Sequence, residues 1–346
     1  AAALLAPWGC SRGRRGDASC VAGKRIRWLV PFAAGGGYDI YSRLLEPHLQ
    51  KKLRAEIVLE NMPGAGGIIA ATTLMRSRPD GLTLGILNAP GLLVAAMTGE
   101  TPAPNPATDF TVLGRIVRNH AALFTGGHSP LRSFDDVLAE AAARPMVFGI
   151  SEVGSTNFIN AAVAAFLLGI RAEFIAGYPG SRETSLAVMR GEVDLASFTF
   201  ESVQDRVDAR DLRPILQIST TGVSAHPSLQ GVPLLGGPEG LAVRRAIELR
   251  RDPRHAEEDA DALIGLTRTG ILVGAPPGLE DVLFRCLEES LHQTLADPAF
   301  QAAAARAHRS LNIGRAHEAE TDLRAAEGAA ARFVPVIRDV MSRMRG

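Results

Sequence analysis

The sequence has few of the residues on which common catalytic and metal sites depend. Its three cysteines cannot make a disulfide framework, and their spacing fits no metal site. Cys286 shares a helical face with Leu283, Leu287 and Leu291, which predicts a core position for it. The eight histidines form no His-Glu-x-x-His pair, and no Gly-x-Ser-x-Gly elbow occurs. These absences predict a protein without a catalytic nucleophile or a metal.

An excess of one charge and a long apolar run are also absent. The chain has 37 basic and 37 acidic side chains, whereas nucleic-acid binding usually shows as a basic excess or patch. No run approaches the roughly 20 apolar residues that cross a bilayer. We therefore expect no nucleic-acid partner and no membrane span.

The N-terminal AAALLAPWG resembles the end of a signal-peptide apolar region, so residues 1–23 are expected to be a signal-peptide remnant and flexible leader. Cys10 and Cys20 each raise the question of a lipoprotein, but neither follows the Leu of that motif. The chain is therefore expected to be exported, without a lipid anchor; the family resemblance described below implies the periplasm.

A unit of strand, small-residue turn and helix recurs along the chain. It appears in the following segments: IRWLVPFAAGGGYDIYSRLLEPHL, EIVLENMPGAGGIIAATTLMRS, PMVFGISEVGSTNFINAAVAAFLLG and AEFIAGYPGSRETSLAVMRG, with Ser181 as a candidate helix cap in the last. This alternation predicts an α/β fold with parallel sheets packed on both faces. The stretch from Leu113 to Phe124 is a candidate strand between two lobes. Residues 244–262 are charge-dense and read as a solvated helix or excursion.

Three of the turns are candidate anion sites, namely Gly35–Gly37, Gly64–Gly67 and residues 154–156. Each follows a predicted strand and precedes a helix, where ligands of open α/β sheets gather and bare backbone N–H groups form nests. A corner that needs glycine for its φ angle is the alternative at each. Ile40 and Ile69 stand where the dinucleotide fingerprint needs a third glycine, and no Lys follows for a phosphate loop. No cofactor is expected.

The sequence resembles the TctC or Bug family, the extracytoplasmic solute receptors of tripartite tricarboxylate transporters. The resemblance covers roughly residues 26–330 and rests on the glycine turns, on ENMPGAGG with its downstream PDG, and on FGISEVGSTNF, AGYPGSRETSLAVMRGEVDLAS, ILVGAPPGLEDVL and LADPAF. It implies a two-lobed, type II-like periplasmic-binding-protein fold that closes on a small organic carboxylate. It also implies no enzymatic activity, no cofactor, and delivery to membrane transporter subunits.

The resemblance also implies the organisation of the chain and its ligand contacts. Residues 24–120 and 266–346 would form lobe 1, residues 121–225 lobe 2, and residues 226–265 a charged connector. The implied contacts are Ala34, Gly35, Gly36, Gly37, Tyr38, Asp39, Asn61, Gly64, Ala65, Gly66 and Asn88 in the first lobe, with Gly154, Ser155, Thr156, Asn157, Ser197 and Phe198 in the second. These turns contain no basic residue, in agreement with a family in which backbone, hydroxyls and water generally meet the carboxylate.

Two positions depart from the family pattern. Tyr38 stands where many relatives have Thr or Ser, which favours a bulkier or aromatic acid unless Tyr38 is a wall residue. Glu152 would repel an anion unless it points away. A monomer is expected. The alternatives are a ligand-sensing receptor for a signalling partner and an α/β enzyme acting on an organic acid, for which Asp39 and Glu152 are the only nearby acids.

Overall fold

The computed structural model describes residues 20–99, 102–222 and 226–345. The strands are β1 (Arg25–Val30), β2 (Glu56–Asn61), β3 (Thr83–Asn88), β4 (Thr111–Val117), β5 (Ala121–Gly126), β6 (Met146–Gly149), β7 (Ala172–Ile175), β8 (Ala196–Thr199), β9 (Leu212–Gln217), β10 (Ile271–Ala275) and β11 (Gly314–Arg315). The helices are α1 (Gly37–Leu53), α2 (Ile68–Met75), α3 (Ala89–Thr98), α4 (Phe134–Ala143), α5 (Thr156–Leu168), α6 (Ser181–Arg190), α7 (Phe200–Asp208), α8 (Leu241–Glu248), α9 (Pro253–Arg268), α10 (Asp281–Ala296), α11 (Pro298–Arg306) and α12 (Ala316–Arg345). The α/β class is confirmed.

The first lobe is built on a six-stranded sheet in the order β11-β4-β10-β3-β1-β2. Strand β1 pairs in parallel with β2 and β3, as predicted, and its Trp28 and Val30 lie in the core. The prediction of parallel sheets is wrong for β10, which runs antiparallel to both β3 and β4. The chain leaves the first lobe after β4 and β10 follows its return, so these two strands need not obey the βαβ rule.

The second lobe contains β5 to β9 and helices α4 to α7. Strand β5 lies between β8 and β9 and is antiparallel to both, while β6 and β7 form a parallel pair. The candidate strand over 113–124 is divided in the structure: β4 ends at Val117 in the first sheet, and β5 begins at Ala121 in the second. Residues 118–120 therefore cross from the first sheet to the second.

Helices α9 and α12 pack in a core that also contains residues from the sheets of both lobes. Leu263 and Ile264 of α9 lie in one cluster with Leu323 and Phe333 of α12. The interpretation of residues 244–262 as a solvated excursion is therefore only half right, because Ala246 and Ala260 are fully buried. Because alanine is small, it gave only a weak indication of the packed face in a segment with so many charged residues.

A disulfide joins Cys20 to Cys286, which are 266 positions apart in the sequence and have their Cα atoms 6.2 Å apart. The prediction of Cys286 as a simple core residue is wrong, and so is a lipoprotein role for Cys20, because its sulfur is already bonded. Cys10 lies outside the described residues. The bond fastens the chain ahead of β1 to α10, and such a long closed loop restricts the unfolded chain strongly. No helix in the described ranges has both the length and the apolar character of a membrane span.

Candidate ligand cleft between the lobes

A cleft of about 110 Å³ lies between the two lobes. Four helices begin at its wall: α1 at Gly37, α5 at Thr156, α6 at Ser181 and α7 at Phe200. The first amides of a helix have no partner inside it, and the helix dipole makes that end positive. The convergence of four such ends makes the cleft a favourable environment for an anion.

The first glycine turn is held in shape by Asp39, which is buried. The Gly35 amide donates to its Oδ2 at 2.8 Å, Arg43 Nε to the same oxygen at 2.8 Å, and Asn61 Nδ2 to its Oδ1 at 3.0 Å. Burial alone would raise the pKa of the Asp39 carboxyl, but the bonds from Arg43, Gly35 and Asn61 together hold it below its usual value. Asp39 is thus committed to the turn itself.

This arrangement leaves other amides of the same turn available. Gly36, Gly37 and Tyr38 line the cleft. Within the described part of the chain, the amides of Gly37 and Tyr38 have no acceptor. A Cβ placed on Gly37 would meet no atom within 4 Å, so the space beside this turn is open.

The second-lobe turn before α5 is organised by its own side chains. Ser155 caps the helix by accepting the Phe158 amide at 3.4 Å, and its hydroxyl donates to the Glu152 carbonyl at 2.6 Å. Asn157 Nδ2 donates to Ser151 Oγ at 3.1 Å. Ser155, Thr156 and Asn157 all line the cleft.

Asn88 connects the turns of the two lobes. Its Oδ1 accepts the Thr156 hydroxyl at 2.8 Å and the Tyr38 hydroxyl at 3.1 Å, and its Nδ2 donates to the Gly66 carbonyl at 2.9 Å. Tyr38 also packs on Phe32, with ring centroids 4.8 Å apart. Tyr38 is thus a wall residue with its hydroxyl occupied. Its effect on ligand size stays a prediction.

The second glycine turn is an inter-lobe contact. Gly66 has φ +67°, and a Cβ there would lie 2.9 Å from the carbonyl carbon of Gly154. The Glu152 carboxylate faces the amides of Ala65 and Gly66; burial raises its pKa, while these two amides oppose the rise. The Glu152 carboxylate therefore occupies this nest of backbone amides, which the sequence analysis had assigned to a ligand.

The cleft brings together eight of the predicted site residues: Gly36, Gly37, Tyr38, Ser155, Thr156, Asn157, Ser197 and Phe198. The others do not line it: Ala34, Gly35, Asp39, Asn61, Gly64, Ala65, Gly66, Asn88 and Gly154. Several of this second group shape the turns or join the lobes.

Sequence reasoning missed twelve residues of the cleft wall: Phe32, Tyr41, Asn119, Ser151, Asn160, Gly180, Ser181, Thr199, Glu201, Ser202, Ile271 and Arg309. The GYPGS turn was a usable signal for Gly180 and Ser181, because it repeats the strand–turn–helix pattern. Ser181 as the cap is wrong, since Gly180 holds the cap position and Ser181 is the first helical residue. Nothing in the local pattern marked Glu201 or Arg309.

Glu201 and Arg309 place opposite charges in the cleft wall. Arg309 donates through Nη1 to the Glu201 carbonyl, while its buried Nε has no partner among the residues that the structure describes. Glu201 Oε1 lies 3.0 Å from His120 Nδ1. The predicted turns do lack basic residues, but the cleft as a whole does not.

Two lobes that meet around a small cleft are typical of solute-binding receptors. Residues 41–243, more than half of the chain, match the family described as "Tripartite tricarboxylate transporter family receptor" (TctC), so the protein belongs to that family. BugT of Bordetella pertussis is 26% identical over 220 residues, which cover 63% of this chain and 67% of BugT. The resemblance drawn from the motifs is confirmed.

Solved structures give the same fold. The periplasmic binding protein BugD is similar with a TM-score of 0.68 and 20% identity, covering 93% of this chain and 98% of BugD. MatC from Rhodopseudomonas palustris, solved with bound malate, is similar with a TM-score of 0.68 and 18% identity, covering 89% of this chain and 99% of MatC. The predicted two-lobed binding-protein fold is confirmed.

Proposed function

We propose that this receptor encloses a small organic carboxylate between its lobes and delivers it to the membrane subunits of a tripartite tricarboxylate-type transporter. The observation that carries the proposal is the convergence of four helix N-termini on one cleft, where the amides of Gly37 and Tyr38 have no acceptor among the described residues. MatC, a protein of the same fold, holds malate. Family membership supports the transporter as the recipient.

The size of the cleft favours a small metabolite. Its volume of about 110 Å³ is well below the roughly 300–1,000 Å³ of sites for drug-sized ligands. A ligand of four to six carbons with one or two carboxylates fits this class better than a bulky aromatic acid.

The energetics require both lobes. Charge-assisted hydrogen bonds contribute roughly 1.5–3 kcal/mol each and a helix N-terminus about 0.3–1 kcal/mol, against about 4 kcal/mol or more of lost rigid-body freedom. One lobe in open solvent would bind the ligand weakly. Micromolar affinity corresponds to a binding free energy of about −8 kcal/mol, which requires contacts from both lobes. The bond between Asn88 and Thr156 and the contact of Gly66 with Gly154 are made only when the lobes meet. Closure around the ligand is therefore the proposed mechanism.

We also propose that the receptor works in the periplasm as a monomer and releases its ligand unchanged. The family consists of transporter receptors, and BugD is a periplasmic binding protein. Delivery to a transporter requires a ligand that leaves the cleft chemically intact.

The proposal is tested by thermal shift with di- and tricarboxylates, monocarboxylates, aromatic acids and, as a negative set, neutral sugars. We expect at least one small carboxylate to raise the melting temperature, calorimetry to give one site per chain, and nuclear magnetic resonance to recover the acid unchanged. If no acid stabilises the protein, or if the bound acid is converted, the proposal is wrong. Size-exclusion chromatography with light scattering tests the monomer.

A further inference from the structure

The ends of α5 and α8 together expose an apolar surface. Phe166, Ile247 and Leu249 are 47%, 62% and 38% exposed, and we call these three residues the α5–α8 patch. Leu249 lies against the end of α5, because a Cβ on Gly169 would be 2.5 Å from its Cδ1. A single exposed apolar residue is ordinary, whereas a group of them marks an interaction surface.

Arginine side chains surround this patch. The guanidinium carbon of Arg251 is 6.0 Å from the centre of the Phe166 ring, and its Nη1 donates to the Phe166 carbonyl at 3.2 Å. Arg244 lies three residues before Ile247 on α8 and so shares its face, and Arg250 directly precedes Arg251. All three arginines are exposed, and none of them forms an ion pair with any residue that the structure describes.

The acidic side chains next to the patch in sequence are already used within the chain. Glu248 forms an ion pair with Arg245. Asp252 caps α9 and its Oδ2 lies 3.1 Å from His255 Nδ1. The surface therefore carries an excess of positive charge around exposed hydrocarbon. Capture of a ligand in the cleft gives this part of the charge-dense segment no role.

We propose that the α5–α8 patch and its arginines form a contact surface for an anionic phospholipid bilayer. Basic residues around exposed Phe, Leu and Ile side chains are typical of surfaces that rest in the headgroup region, with their hydrocarbon at the acyl boundary. Arginine binds phosphate through paired N–H groups, so one partner satisfies both the apolar and the charged part of the surface. A receptor that hands its ligand to membrane subunits works beside a bilayer. The inference goes beyond the proposed function and does not depend on which ligand is bound.

Helix α5 connects this surface to the cleft. It begins at Thr156 in the cleft wall and ends at Leu168, two residues after Phe166. Its 13 residues span about 20 Å at roughly 1.5 Å per residue. Contact of the patch with lipid therefore brings the cleft within about 20 Å of the bilayer.

The test uses the full chain and vesicles of two compositions. Vesicles of phosphatidylcholine mixed with phosphatidylglycerol in equal parts should carry the wild-type protein into the pellet on sedimentation. Vesicles of phosphatidylcholine alone should leave it in solution. High salt should release the bound protein, because it screens exposed charges.

Two variants assign the contact to the patch. The double variant Arg244→Gln with Arg250→Gln should weaken binding to the anionic vesicles by about 20-fold, since each cation near such a surface contributes about fivefold. Ile247→Ser removes the most exposed apolar side chain of the patch, and binding should weaken by at least about fivefold because less hydrocarbon is buried.

Matched controls change the same kinds of residue at exposed positions on other elements. They are Arg76→Gln with Arg285→Gln, and Val282→Ser. These controls should bind the anionic vesicles as the wild-type protein does. Circular dichroism should give the wild-type spectrum for every variant, since each substitution is on the surface.

The inference is wrong if the wild-type protein ignores the anionic vesicles, or if the patch variants bind them as tightly as the controls do. It is also wrong if soluble polyglutamate binds the patch and the vesicles do not, because the patch then serves an acidic protein. In each of these cases the proposed carboxylate function stands, since the thermal-shift panel contains no lipid. Failure of that panel leaves the lipid contact untouched.

Discussion

The two glycine turns of the first lobe look alike in sequence and serve different purposes in the structure. Both follow a strand, precede a helix and contain three glycines. Gly36 and Gly37 line the cleft, and the Gly37 amide has no partner in the described chain. Gly66 instead touches Gly154 of the other lobe, and Glu152 faces the amides of its turn.

The difference arises from which carboxylate reaches each turn. Asp39 comes from the helix of its own turn and takes the Gly35 amide, so it shapes the loop and leaves the later amides free. Glu152 comes from the opposite lobe and covers Ala65 and Gly66. One turn therefore faces the ligand and the other joins the lobes. The two should respond differently to mutation.

The largest expected effect is on binding, at Gly36. We expect Gly36→Val to weaken the affinity for the identified acid by at least about 100-fold, because the branched side chain enters the cleft. The position does not need a left-handed conformation, since Gly36 has φ −78°, but its Cβ would lie in a tight contact 3.3 Å from the Ala33 carbonyl oxygen. The free energy of unfolding by urea should therefore fall by only about 1 kcal/mol, much less than the loss of binding. Wild-type affinity would show that this turn is only a corner.

The next effect is on stability, at Asp39. Asp39→Asn replaces a buried carboxylate that accepts from Gly35, Arg43 and Asn61 with a group that has one acceptor oxygen. We expect the free energy of unfolding to fall by about 2–3 kcal/mol, the usual cost of leaving charge-assisted buried bonds unmade. Urea titration followed by circular dichroism measures it. A loss of affinity with unchanged stability would instead place Asp39 at the ligand.

The third effect tests the inter-lobe turn. Gly66→Ala puts a methyl group 2.9 Å from the Gly154 backbone, at a φ of +67° that costs an L-residue about 1–2 kcal/mol. Because opening the lobes relieves the contact, we expect affinity to fall by about 30-fold, or about 2 kcal/mol. Calorimetry measures the affinity. Gly37→Ala controls for the effect of replacing a turn glycine by alanine on the stability of the fold. Its Cβ meets no atom within 4 Å, so its free energy of unfolding should equal the wild-type value.

The sequence predicted local units well and their partners poorly. The strand–turn–helix pattern located β1 to α2 and β6 to α6 closely, because apolar periodicity and glycine act over a few residues. The pattern could not distinguish a turn that faces a ligand from one that faces another lobe, since that depends on Glu152, about 90 residues further along the chain. Arg309 and Glu201 reach the cleft through the closure of the fold and carry no local signal. The pairing of Cys20 with Cys286 was hidden for the same reason.

The smallest effect is a pH dependence of opposite sign for the two carboxylates. The lowered pKa of Asp39 means that its contribution to stability is present above the ordinary carboxyl pKa and is lost as the pH falls through the lowered value. The raised pKa of Glu152 has the opposite consequence: the contribution is present below the ordinary carboxyl pKa and is lost as the pH rises through the raised value.

Urea unfolding between acidic and neutral pH separates the two contributions. Relative to Glu152→Gln, the wild-type protein should lose stability as the pH rises, because only the wild type must ionise a buried carboxyl group. Relative to Asp39→Asn, the wild-type protein should gain stability as the pH rises through the acidic part of the range. The exposed Glu173→Gln should give a constant difference from wild type. If the Glu152→Gln difference is also constant, the Glu152 side chain does not remain between the lobes in solution, and the distinction between the two turns fails at that point.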